Sequence, residues 1–169
     1  VGAPSRSYDG VVSSPPSLRY FRSLLGAWSG DFDFRAKDGG RTGLRALGAL
    51  ARVFGPVRMA TTLDPDGDGF VHTTRVSKWG VTLYETTEHI TLGGDGRSLA
   101  MKGEQRAPFR TTPYESTGEI DEHATRATYR IPWAGLELVQ RTRIVDEGLE
   151  LEQETAASFG KVLLRRAPR

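Results

Sequence analysis

The sequence predicts an all-β fold: a single closed or nearly closed antiparallel up-and-down barrel of about ten strands, with a short N-terminal helix and a helical lid between the first two strands. Three observations carry this expectation. From residue 57 onward, short β-rich runs are separated by turn signals such as Asp66-Gly67-Asp68-Gly69, Trp79-Gly80, Ala134-Gly135 and Asp146-Glu147-Gly148. Folded into hairpins about those turns, the runs agree on one inner face. A meander of this length removes its two exposed edges by closing on itself.

The chain has 169 residues, enough for one domain with a sizeable core. Hydrophobic residues make up 37% and charged residues 26%, the balance of a folded globular chain. The formal net charge is +2 and the basic residues are scattered, so no nucleic-acid partner is expected. With no cysteine, disulfides, thiolate nucleophiles and zinc–thiolate or iron–sulfur sites are excluded, and a cytoplasmic location is expected. No run reaches the ~18 apolar residues of a membrane span, and the N-terminus does not read as a signal peptide. The first residue is Val1, so a leader removed before it stays open.

Residues 1–16, rich in Ser, Pro and Gly, read as a surface tail, and 17–169 as one barrel domain. Ser14-Pro15-Pro16-Ser17 reads as a helix start with Ser as cap and Pro in the first turn. Leu18, Phe21, Leu24 and Leu25 then give a helix over about 16–25, ended by Gly26. The first strand spans 27–37. Leu44, Leu47, Leu50, Ala51 and Phe54 recur at helical spacing up to Gly55-Pro56 and predict the lid, with a further strand as the alternative. Later strands are expected near 57–63, 70–78, 81–92, 98–105, 114–121, 125–132, 136–145, 149–157 and 160–166.

Hairpin arithmetic predicts the register. Ile144 faces Leu149, Thr142 faces Leu151 and Gln140 faces Gln153; Leu138 faces Tyr129, and Tyr129 faces Ser116. Leu63 faces Phe70, Thr61 faces His72, Val76 faces Tyr84, His72 faces Glu88, and Ile90 faces Met101. The inner face is then mixed. Trp28, Phe32, Phe34, Met59, Tyr84, Met101, Tyr114, Tyr129 and Leu138 share it with Thr61, His72, Thr74, Glu88, Gln140 and Gln153. A dry, filled barrel would be mostly aliphatic. Buried polar groups need partners, so a wet or ligand-filled cavity is expected, with mutual satisfaction of the polar groups as the alternative.

Gly26-Ala27-Trp28-Ser29-Gly30, after a short helix and at the start of the first strand, resembles the G-x-W signature of the calycin superfamily. That group includes lipocalins, fatty-acid-binding proteins and nitrobindin-like proteins. The lid and strand count look like the fatty-acid-binding arrangement, while the G-x-W-x-G form is nearer to the nitrobindin-like proteins. The resemblance implies that Trp28 closes one barrel end, packed by Arg165 or Arg166 of the last strand. It does not carry the family ligands over. Nitrobindin-like proteins hold haem through a C-terminal histidine, and no histidine follows His123 here. The Arg-x-Tyr pair that holds a fatty carboxylate has its nearest equivalent in Arg126-Ala127-Thr128-Tyr129, which has a different spacing.

The sharpest chemical constellation is His72 beside Glu88, a carboxylate that would orient an imidazole and raise its basicity. The leading expectation is binding of a small, largely apolar or aromatic molecule in the cavity, contacted by Trp28, Phe32, Phe34, Met59, Thr61, Thr74, Tyr84, Met101, Tyr114, Leu138, Gln140 and Gln153. The alternative is a cofactor-independent cyclase or isomerase, with His72 as acid or base, Glu88 orienting it and Tyr129 positioning substrate. A haem or nitrogen-oxide protein is the third reading. No cofactor and no metal are expected, and a homodimer is open. Asp64-Pro65-Asp66-Gly67-Asp68-Gly69 begins like a calcium loop, but its twelfth position would be Arg75 where a bidentate Glu is needed, so a hairpin turn is expected.

Overall fold

The computed structural model describes residues 14–37, 57–133, 135–156 and 158–167, and only the backbone of 34–36. The expected helical lid at 44–54, most of the N-terminal tail and the side chain of Phe34 lie outside the described residues. One helix precedes ten strands: α1 (Pro16–Leu24), β1 (Gly26–Ala36), β2 (Val57–Asp66), β3 (Gly69–Lys78), β4 (Val81–Leu92), β5 (Ser98–Ala107), β6 (Arg110–Ile120), β7 (Arg126–Trp133), β8 (Leu136–Val145), β9 (Gly148–Glu154) and β10 (Ser158–Arg166). Each strand pairs antiparallel with its sequence neighbour, and β1 pairs with β10 to close the barrel. The all-β class, closure and strand count are as the sequence predicts.

The helix starts differently from expectation. Pro15 holds the cap position and no side chain caps the turn, so Ser14 does not serve. Instead the Ser17 N–H donates to the Gly96 carbonyl at 2.9 Å, so the β4–β5 turn satisfies a donor that a cap would have taken. The buried face is Ser17, Tyr20, Phe21 and Leu24, with Leu18 only half-buried. Phe21 stacks on Phe70 at 5.1 Å between ring centres, which seats the helix across one end of the barrel. Burying side chains of this size contributes roughly 1.5–3 kcal/mol each. Gly26, at φ +107, makes the bend from helix to strand that a residue with a Cβ resists.

Trp28 closes that end, as the resemblance implies. Its indole N–H donates to the Leu24 carbonyl at 2.8 Å, and the Arg166 guanidinium lies 4.7 Å from its ring centre while donating to the Ser23 carbonyl. Arg166, not Arg165, makes this contact.

Three hairpins are offset by two residues from the expected pairing. Thr61 pairs with Thr74 and Leu63 with His72; Tyr129 pairs with Gly118 and with Gln140, and Ile131 with Leu138. The cause is turn placement: Gly67-Asp68 forms a two-residue loop with φ +54 at Gly67, and the β7–β8 loop likewise lies between Trp133 and Leu136. A shift of two leaves every side chain on its predicted face, because strand side chains alternate with period two. The pairs His72–Glu88, Val76–Tyr84, Ile90–Met101, Gln140–Gln153 and Thr142–Leu151 stand as expected.

A candidate site across the middle of the barrel

The inner face changes character along the barrel axis. Toward α1 it is apolar: Leu63, Ile90, Met101, Leu149, Leu151 and Leu164 meet Phe21 and Leu24 of the helix. Toward the opposite end it is polar and aromatic, with Thr74, Tyr84, Thr86, Gln105, Tyr114, Trp133 and Gln153. Each half encloses a small chamber, of about 40 Å³ toward α1 and about 30 Å³ on the other side. His72, Glu88, Ile131 and Gln140 line both and form the partition.

Two of these, His72 and Glu88, belong to a hydrogen-bonded chain. His72 on β3 and Glu88 on β4 are direct cross-strand partners, with Nδ1 2.8 Å from the carboxylate Oε2. An ionised carboxylate only accepts, so the proton sits on Nδ1. The other ring nitrogen, Nε2, lies 2.5 Å from the Thr61 hydroxyl and 3.4 Å from that of Thr74. The second Glu88 oxygen accepts from the Tyr114 hydroxyl on β6.

That last contact depends on a residue with no side chain. Glu88, Gly103 and Tyr114 lie in one row across β4, β5 and β6. A Cβ on Gly103 would sit 2.4 Å from the Thr87 carbonyl oxygen and 3.2 Å from Glu88 Cγ. Gly103 leaves the space over which the tyrosine reaches two strands away.

Burial pushes the Glu88 carboxyl up, but the hydrogen bond and charge of His72, with the bond from Tyr114, outweigh it and hold the group below the ordinary glutamate value. The interior phenols move the other way. Burial lifts Tyr84 and Tyr114, helped by the Glu88 charge, and burial lifts Tyr129 as well; Tyr20 is pushed up to about 12. At neutral pH the interior therefore presents one carboxylate and four neutral phenols around the His72 ring. It can offer a polar ligand group both donors and acceptors.

Most of the predicted residues divide by chamber. Trp28, Thr61, Met101 and Tyr129 line the apolar chamber; Thr74, Tyr84, Tyr114, Leu138 and Gln153 line the polar one; His72, Glu88 and Gln140 touch both. Phe32 and Met59 are buried in the wall but line neither. Phe32 packs where Gly160 leaves room, since a Cβ there would lie 2.2 Å from its ring. Gln153 donates to Gln140 at 2.8 Å, so the two amides engage each other. The Tyr129 hydroxyl engages Tyr20 and Thr142, which also bond each other. Much of the polar interior is thus mutually satisfied, the alternative the composition had left open. Tyr20 and Gly103 were missed. Tyr20 is four residues from Leu24, a helical spacing that the sequence does contain; nothing local marks Gly103.

Among the described residues, no three His, Asp or Glu side chains come together to hold a metal, and no helix is long and apolar enough to cross a membrane. The Asp64–Gly69 stretch closes the β2–β3 hairpin, as expected of a turn.

Fold and interior together define a closed antiparallel β-barrel, capped at one end by a helix and crossed by a polar partition. No protein family matches the sequence, and no curated protein matches it. Among solved structures, one similar chain is described as REP1-NXSQ fatty acid transporter, 12% identical over 88% of this chain and 98% of that one, with a TM-score of 0.48. A tyrosine-to-phenylalanine mutant of the same transporter is 13% identical over 86% and 99%, with a TM-score of 0.47. Likeness at this level assigns neither a family nor a ligand to this chain.

Proposed function

We propose that the chain binds one small, largely apolar or aromatic molecule inside the barrel. The apolar part of the ligand lies beneath α1 and its polar end meets His72 and Gln140. The observation that carries this reading is the place of His72, whose imidazole lines both chambers, is oriented by Glu88, and keeps 21% of its side chain accessible. The chambers are far smaller than the roughly 300–1,000 Å³ of sites for drug-sized molecules, so a ligand must part the Gln140–Gln153 pair to fit. They lend no support to haem.

The test is native mass spectrometry of the protein, as purified and after incubation with small phenols, monoterpene alcohols and ketones. At least one compound is expected to be retained one-to-one by the wild type and lost on Gln140→Leu. If the wild type retains none and the His72 ring resonances stay fixed through the series, the reading fails.

The Tyr114–Glu88–His72 chain supports a second reading, a cofactor-free cyclase or isomerase. In it His72 moves the proton, Glu88 orients the ring, and Tyr129 with Gln140 and Gln153 positions the substrate. Turnover of any retained compound that survives His72→Ala would remove it.

A further inference from the structure

Strands alternate in direction, so the barrel has two unlike ends. The turns at the α1 end are acidic: Asp66 and Asp68, Asp95, Asp121 and Glu122, Asp146 and Glu147. The same end also carries Arg19, Arg22, Arg97, Arg126, Arg165 and Arg166, so the acidic residues are concentrated at the turn tips. At the opposite end, the β3–β4 and β5–β6 hairpin tips span residues 77–82 and 105–112. They carry Lys78, Arg106 and Arg110, and of these Arg106 is ion-paired with Glu104 just behind the tip.

The same two tips hold the large exposed apolar side chains of the described residues: Trp79 at 75%, Val81 at 61% and Phe109 at 102% exposure. The two tips belong to neighbouring hairpins, since β4 and β5 are paired up to Glu85 and Arg106. Trp79 also sits at φ +51, in the left-handed region that a bulky side chain resists. The two-residue Trp79-Gly80 loop has positive φ at both positions, and Asn, Asp or Gly is the ordinary choice for the first. An exposed aromatic held in a strained backbone adds nothing to the core. Such strain points to a function outside the fold.

We propose that this end of the barrel docks on an anionic lipid bilayer, with Trp79 and Phe109 entering the interface and Lys78 and Arg110 facing lipid phosphates. Tryptophan favours the headgroup region, where its ring is half-solvated, and basic residues beside it are drawn to an anionic surface. The acidic turns lie at the other end of the barrel, so they do not oppose this contact. A second copy of the chain fits less well. A two-fold contact would set Lys78, Arg106 and Arg110 against their own equivalents, and two protruding tips do not make the broad flat face of a dimer.

The test is co-sedimentation with vesicles of phosphatidylcholine alone and with about one-third phosphatidylglycerol. Binding is expected to the anionic vesicles only and to weaken with added salt. Lys78→Glu with Arg110→Glu should lower the partition coefficient by about tenfold or more. Trp79→Asn with Phe109→Ser should abolish binding while the circular dichroism spectrum stays that of the wild type. These side chains are solvent-facing, so the fold survives their loss. Absence of binding to anionic vesicles, or equal binding by the aromatic variant, overturns the proposal. A concentration-dependent dimer in light scattering that the aromatic variant loses would assign the tips to self-association instead.

Discussion

Gly103→Ala sets local propensity against the site geometry, and the two give opposite signs. Glycine inside a strand is destabilising by roughly 0.5–1 kcal/mol relative to alanine, so propensity alone makes the variant more stable. The structure says otherwise. The new methyl would lie 2.4 Å from the Thr87 carbonyl oxygen and 3.0 Å from Glu88 Cα, both backbone atoms. β4 cannot retreat, because it is hydrogen-bonded to β3 on its other side. Overpacking of this kind costs about 1–3 kcal/mol. The methyl also crowds Glu88 Cγ and obstructs the Tyr114 bond, and hydrogen bonds to charged groups contribute about 1.5–3 kcal/mol. Tyr114 is only half-buried, so water recovers part of that second loss. Net destabilisation of about 2–4 kcal/mol is expected. Urea unfolding at neutral pH measures it, with an unchanged m-value as the sign that the denatured state is the same. Tyr114→Phe in the Gly103→Ala background should cost about 1 kcal/mol less than in the wild type, since the bond it removes is already broken. A variant as stable as the wild type, or additivity with Tyr114→Phe, would refute the account of how Gly103 shapes the site.

Two further outcomes follow from the same physics. Glu88 has its carboxyl held below the ordinary 4.5, so the stability it contributes is complete above that pH and is lost as pH falls through the lower folded value. Glu88→Gln should therefore be less stable than the wild type at pH 7 and show a shallower loss of stability below pH 4.5, read by thermal unfolding across pH; parallel profiles would contradict it. Trp79→Asn should raise stability by about 0.5–1 kcal/mol, as relief of the left-handed strain exceeds the exposed contact with Lys78. A loss of stability there would mean that Trp79 packs usefully and that its strain has no functional meaning.

The fold was legible because its signals are local. Turn residues mark where each hairpin reverses, and period-two alternation fixes which side chains face inward whatever the loop length. This is why His72, Glu88 and Gln140 were placed on the inner face and His72 opposite Glu88, even though Thr61 and Tyr129 were each paired two residues off. The site was less legible because its key contacts skip strands. Tyr114 reaches Glu88 across Gly103, and Tyr20 reaches Thr142 from the helix. Such contacts depend on barrel curvature and on an absent side chain, and neither leaves a periodic trace. The size of the interior is equally non-local. A mixed inner face is compatible with an open cavity or with polar groups that bond one another, and only side-chain reach decides between Gln140 bonding a ligand and Gln140 bonding Gln153.

The closure of the barrel has a kinetic consequence. Seven of the ladders, from β3 with β4 through β9 with β10, join strands adjacent in sequence through short turns, and β2 with β3 does the same. Those hairpins can zip without long loop closure. The seam between β1 and β10 is different, since it brings Trp28 to Arg166 across nearly the whole chain. Its entropy cost falls on a single late event, after the meander has curled far enough for its ends to meet. Weakening that seam would then speed unfolding more than it slows folding. Arg166, bonded to both Trp28 and the end of α1, acts as the clasp that sets how long the barrel stays shut.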